Sequence, residues 1–306
     1  MITHLSEWAK RKPQAPFFCV QGDKQSIEYS YRRAHIAAAA LARELERYGM
    51  TANGTLACTM YNATELVLLS LAAAYGGYTL ALLNPRLSAD ERQLRLVELE
   101  NATGEHGMDV LTNQTVNRLL IDATGFDATG FGLLPDDAAV LTRLQVELEQ
   151  TVQRYQERFD GDNAGLVMFT SGSSGTPKAA FLTWNSLMGS AAGANEVLRY
   201  EEHGVWQMVL PLCHVGGFQI LVRTLLSGNT FIVYERYQPQ RILNDVLSFR
   251  VTHISVVDKI LADLLEHDRD RVITKYDCIL LAVPNLTTNH SQSVEGKGEK
   301  CFPATA

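Results

Sequence analysis

Apolar and polar positions along this chain alternate between two periods. Leu5 and Trp8 stand three apart within residues 3–12, the spacing of one face of a short amphipathic helix. FFCVQGDKQSIEYSY then offers two strand-like runs about Gly22–Asp23 and predicts a hairpin. The run YRRAHIAAAALARELERY, residues 31–48, is rich in the best helix formers, and Gly49 follows as a stop. TLACTMY reads as a strand, ATELVLLSLAAAY as a buried helix, and YTLALLN as a strand after a Gly-Gly turn. SADERQLRLVEL opens with Ser88 three residues before Glu91, the pattern of a capping box.

The pattern weakens between 101 and 137, where the tandem ATGFDATGFG reads as loop. Leu141, Leu144, Leu148, Val152, Tyr155 and Phe159 then recur at steps of three and four and predict one long helix. GLVMFT follows as a strand. Further on, VWQMVLP, TFIVYE, THISVV and DCILLAV read as strands. Helical stretches FQILVRTLLSG, PQRILNDVLSFR and DKILADLLEH separate them, the last with Asp258 as its expected N-cap. Helices alternating with strands predict an α/β fold with mostly parallel sheets flanked by helices. The expected division is a domain over residues 1–281 and an atypical polar tail over 282–306, disordered or frame-shifted, where apolar periodicity stops.

Composition narrows the function classes. Of 306 residues 46% are hydrophobic and 20% charged, as in a globular protein, and the formal net charge is −7. An acidic chain without a basic stripe argues against nucleic acid as the partner. Five scattered cysteines without CxxC spacing, and no apolar export segment at the start, read as a reduced, cytoplasmic protein. The uncharged stretch Leu66–Pro85 is long enough to suggest a membrane span. Gly76–Gly77 divides it, so helix, turn and buried strand is the expectation.

The densest chemistry lies in MFTSGSSGTPKAA, residues 168–180. Backbone N–H groups in a Gly-rich turn can converge on an anion, and glycine lets the backbone approach it. The hydroxyls of Thr170, Ser171, Ser173, Ser174 and Thr176 can donate to phosphate oxygens, Gly172 and Gly175 supply the turn, and Lys178 adds a charge. A surface linker shares this composition, but linkers seldom follow an apolar strand so tightly. The order is not GxxxxGK[ST], and Pro177 stands before the lysine, so the loop is not expected to open into a helix. A second candidate is LPLCHVGGF, residues 210–218, which sets His214 past a strand end and before Gly216–Gly217. Strand ends next to glycines are where α/β sheets expose binding groups.

These residues resemble the adenylate-forming superfamily of acyl-CoA synthetases, luciferases and peptide-synthetase adenylation domains. MFTSGSSGTPKAA is similar to its phosphate-binding signature, and the likeness extends over about residues 3–281. NPRLSADE, the PKAA ending and LPLCHVGGFQILVRTLLSG look most like the o-succinylbenzoate–CoA ligases of menaquinone biosynthesis. The resemblance implies the large N-terminal domain of that fold and a two-step reaction. A small carboxylic acid displaces pyrophosphate from ATP with Mg²⁺ assistance, and coenzyme A then displaces AMP. It implies that Thr170, Ser171, Gly172, Ser173, Ser174, Gly175, Thr176 and Lys178 hold the ATP phosphates. His214 would be catalytic, at the wall of an acyl pocket bordered by Val215, Gly216, Gly217 and Phe218. A ligase for another small or fatty acid, and an inactive nucleotide- or partner-binding remnant, are the competing readings. The resemblance leaves a homo-oligomer open.

The chain departs from the pattern after Leu281. Ala282-Val283-Pro284 stands where relatives carry an adenine-contacting Gly-Gly-Ala segment. The family's metal-binding Glu, its ribose-binding Asp and the lysine of its mobile C-terminal domain have no counterparts. The expectation is a truncated chain of very low activity whose last residues do not continue the enzyme.

Overall fold

The computed structural model describes residues 1–22, 26–106, 109–124, 137–171, 177–198, 200 and 203–281. Its first half contains α1 (Ile2–Arg11), β1 (Pro16–Gln21), β2 (Ser26–Ser30), α2 (Tyr31–Arg47), β3 (Thr55–Thr59), α3 (Thr64–Gly76), β4 (Thr79–Leu83), α4 (Ala89–Thr103), β5 (Val110–Leu111), α5 (Asn113–Thr124) and α6 (Ala138–Arg158). The second contains β6 (Ala164–Ser171), β7 (Pro177–Thr183), α7 (Trp184–Leu198), β8 (Val205–Met208), α8 (Val215–Ser227), β9 (Thr230–Tyr234), α9 (Pro239–Ser248), β10 (His253–Val256), α10 (Asp258–His267) and β11 (Cys278–Leu281). Two sheets result, one ordered β11-β10-β8-β9-β1-β2 and one ordered β5-β3-β4-β6-β7. Neighbouring strands run parallel except in the two hairpins, β1 with β2 and β6 with β7.

Successive residues of a strand face opposite sides, and here both sides are apolar, as buried parallel sheets require. Leu80 and Leu166 enter the main core, while Ala81 and Val167 meet Leu99 of α4 on the other face. In the larger sheet Phe231 and Val233 join the main core. Ile232 and Tyr234 turn to a second core with Ile242 and Val246 of α9 and Leu264 of α10. The layers therefore run α9 and α10, larger sheet, α2 with α3, smaller sheet, α4. The middle helices are covered on all sides, which explains their composition. Ala37, Ala38, Ala39 and Ala40 of α2 are wholly buried, and small side chains let α2 and α3 pack closely.

Most sequence-based expectations hold in detail. Ser88 accepts from the Glu91 N–H while the Glu91 carboxylate accepts from Ser88, closing the expected capping box. The uncharged 66–85 stretch is α3, a turn at Gly77 with φ +70, and β4. Among the described residues no helix is long and apolar enough to cross a membrane. Other elements differ. β5 and α5 form where the pattern weakens, with only the last two residues of α5 falling in the repeat expected as loop, and β7 and α7 follow the Ser/Gly loop, where no element was assigned. The N-cap of α10 is Val257, with Asp258 one position inside. Most of the tandem repeat and all of 282–306 lie outside the described residues.

Candidate functional site

Strands β3, β4, β5 and β6 are parallel, so their carboxyl ends share one edge of the smaller sheet. At that edge β6 turns back as β7, pairing Thr170 with Lys178 and Ser171 with Pro177. Proline lacks an N–H, and the first position of a strand is where it is tolerated. The Ser/Gly loop thus returns into a strand, not into a helix. Gly172, Ser173, Ser174, Gly175 and Thr176 themselves lie outside the described residues. Thr170 and Lys178 are exposed, and the Thr170 hydroxyl donates to Lys178 O at 3.5 Å. The ammonium of Lys178 has no ion-pair partner among the described residues. Glu98 of α4 accepts from the Ala179 N–H at 3.4 Å and ties β7 to the helix beside it.

The second candidate segment leaves the carboxyl end of β8. The His214 N–H donates to Pro211 O at 3.0 Å, closing a turn, and the N–H groups of Gly217 and Phe218 donate to His214 O at 3.0 Å to start α8. His214 is the N-cap of α8, but its ring caps nothing. The ring is exposed, yet neighbouring atoms remove enough water to hold its pKa below the usual histidine value. At neutral pH it is an uncharged imidazole, able to donate from one nitrogen and accept at the other. Gly217 is explained by packing, because a Cβ there would stand 2.2 Å from Pro211 O. Phe218 is wholly buried in the main core. Pro211, His214 and Val215 carry the exposed surface of this segment.

Sequence reasoning missed the residue that connects the two sheets here. Asn62, just past β3, donates from Nδ2 to Leu210 O at 3.2 Å and accepts at Oδ1 from Leu212 N at 2.9 Å. An asparagine after a strand has no distinctive pattern; only the fold reveals its partners. Cys58 and Cys213 are buried beside this junction, and burial holds the Cys58 thiol well above the usual cysteine value. Burial pushes the Cys213 thiol up to about 11, against the opposing charge of Arg86 from the loop after β4. Neither thiol is an effective nucleophile at neutral pH.

The structure therefore brings Lys178 and His214 to the carboxyl edges of two sheets that Asn62 joins, and such edges form ligand crevices in α/β folds. No hydrogen bond links the two side chains. Among the described residues, the Lys178 ammonium without an ion-pair partner and the Thr170 hydroxyl are donors that suit a phosphate chain. Among the described residues no group of three or more His, Cys, Asp or Glu could hold a metal ion.

Comparison with known proteins adds to this geometry. The family model described as AMP-binding enzyme matches residues 5–286. A curated 2-succinylbenzoate–CoA ligase of Staphylococcus aureus (strain JH9) is 27% identical over 244 residues, covering 78% of this chain and 49% of the relative. The chain thus spans about half the length of the curated relatives it matches. The o-succinylbenzoate coenzyme A synthetase of Bacillus subtilis, solved in complex with ATP and magnesium ion, superposes with a TM-score of 0.68 at 23% identity, over 92% of this chain and 54% of that one. The N-terminal subdomain of Klebsiella oxytoca NpsA, solved with 3-hydroxybenzoyl-AMSN, gives 0.70 at 15% identity, over 92% and 66%. At these identities the superpositions establish the fold.

Proposed function

Because this chain belongs to the AMP-binding enzyme family, we propose that it is the nucleotide- and acid-binding portion of an ATP-dependent acid–CoA ligase acting on o-succinylbenzoate. The observation that carries the reading is the β6–β7 hairpin, which holds Lys178, without an ion-pair partner among the described residues, opposite Thr170 at the carboxyl edge of the sheet. ATP supplies the activated phosphorus: the acid's carboxylate bonds to it as pyrophosphate leaves, and coenzyme A thiol then takes the acyl group as AMP leaves. In this reading Thr170, Lys178 and the 171–176 loop neutralise the phosphate charge, an electrostatic and positioning role. The uncharged His214 ring donates to the acid beside Val215 and Gly216. Residues 1–281 act as the domain, and 282–306 lie outside it. The buried Cys19, Cys58 and Cys213, which form no disulfide among the described residues, support a reducing, cytoplasmic setting.

Calorimetric titration of the chain with ATP and Mg²⁺ tests the reading. Wild type is expected to bind, and Lys178→Ala to bind about tenfold more weakly, as loss of one charged hydrogen bond predicts. The unfolding midpoint should not move, since exposed Lys178 contributes little to stability. Equal affinity in both proteins would remove the phosphate role from the hairpin.

A further inference from the structure

We propose that Asn62 is a positioning residue for His214, an inference that rests on the acid-site reading above. Asn62 stands three residues beyond β3 in one sheet, while the backbone it grips leaves β8 in the other. Its Nδ2 donates to Leu210 O at 3.2 Å and its Oδ1 accepts from Leu212 N at 2.9 Å. The two bonds fix the amide's orientation, because only the oxygen can take a backbone N–H. Both ends of the amide are occupied by backbone, which argues against Asn62 being a substrate ligand. It is not a helix cap either: the N-cap of α3 is Ala63, with no side-chain capping bond.

The grip reaches His214 because little between them can yield. Leu212 is fully buried. Pro211 O receives the His214 N–H, and the same oxygen sits where a side chain at 217 would be. His214 O is held by the N–H groups of Gly217 and Phe218, and the Phe218 ring is anchored in the core. The segment is therefore fastened at one end by Asn62 and at the other by Phe218. The His214 ring has no side-chain capping bond, so its place is set by this backbone.

The experiment uses the full 306-residue chain with isotope labels. It reads amide exchange at Leu212, titration of the His214 ring, and affinities for o-succinylbenzoate and ATP. Asn62→Leu removes both bonds at similar volume. Asn62→Asp keeps the acceptor for Leu212 and removes the donor to Leu210. In Asn62→Leu, Leu212 exchange should rise about tenfold, the scale of one lost hydrogen bond. The His214 pKa should rise toward the ordinary value as the ring regains water. Affinity for the acid should fall about tenfold while that for ATP stays within about twofold. Asn62→Asp should show smaller changes in the same directions. The Ile254 amide in β10 serves as a global reporter; if it also loses protection in Asn62→Leu, Asn62→Asp decides. Faster Leu212 exchange with an unchanged His214 titration overturns the proposal, and so does an unchanged Leu212 amide. If wild type binds neither acid nor ATP, the proposed function fails, and the His214 titration still decides the role of Asn62.

Discussion

At the scale of single residues, Gly217 is the position with least room. A methyl group at its β position would meet backbone oxygen, not a yielding side chain. Gly217→Ala is expected to cost about 1–3 kcal/mol, the usual range for overpacking, measured as a lower urea midpoint. Gly216→Ala meets only the end of Leu210 at 3.3 Å and should cost less than half as much. This contrast shows how the candidate site was legible and where it was not. Lys178, Thr170 and His214 could be read because their chemistry is visible in their residue types and neighbours. At Gly217 the packing against Pro211 O could not be read from residue type. Asn62 could not be read at all, since its partners are backbone atoms about 150 residues away.

At the scale of elements, the same division follows from local signals. α2 and α4 announce themselves through propensity and caps that act within a few residues. Ser88→Ala removes one half of the α4 capping box and should cost about 1 kcal/mol, read as a shift in the unfolding midpoint. α7 carries Gly189 and Gly193 among small and polar residues, and its apolar face of Trp184, Leu187, Ala191 and Leu198 is thinned by alanine, so it forms because α8 and the sheet cover that side of it. β5 is two residues long, too short for alternation to register. β7 follows the loop as Pro-Lys-Ala-Ala-Phe-Leu-Thr, a mixed run that becomes a strand by pairing with β6. Glu98→Gln keeps an acceptor for the Ala179 N–H, while Glu98→Ala exposes that N–H on an edge strand. Faster amide exchange at Ala179 in Glu98→Ala alone is the expected result.

At the scale of the whole molecule, the layered core buries uncharged histidines. His35 bonds through Nδ1 to the Tyr75 hydroxyl between α2 and α3, and burial holds its pKa down to about 4. His253 meets the Tyr200 ring edge-on and the Trp206 ring at a tilt, and burial likewise lowers it to about 4. In the unfolded chain both take up protons near pH 6.5. As pH falls from there to about 4, the unfolded state binds protons that the fold refuses. Stability should drop through that window by a few kcal/mol, then cease to fall on their account below it. Urea midpoints measured across the window check this, and His35→Asn should flatten the slope.

The strand order of the larger sheet also sets a timetable for the ribosome. β1 emerges first, yet its parallel neighbour is β9, with Phe18 opposite Phe231. Helix α1 waits as well, since Trp8 Nε1 donates to Leu225 O and the Lys12 ammonium to Gly228 O. At about 5–20 residues per second, the amino-terminal hairpin spends roughly 10–40 s without its partner strand. During that interval the apolar run Phe17–Val20 is an open edge on a nascent polypeptide, and translation speed through the middle of the message governs how long chaperones must shield it.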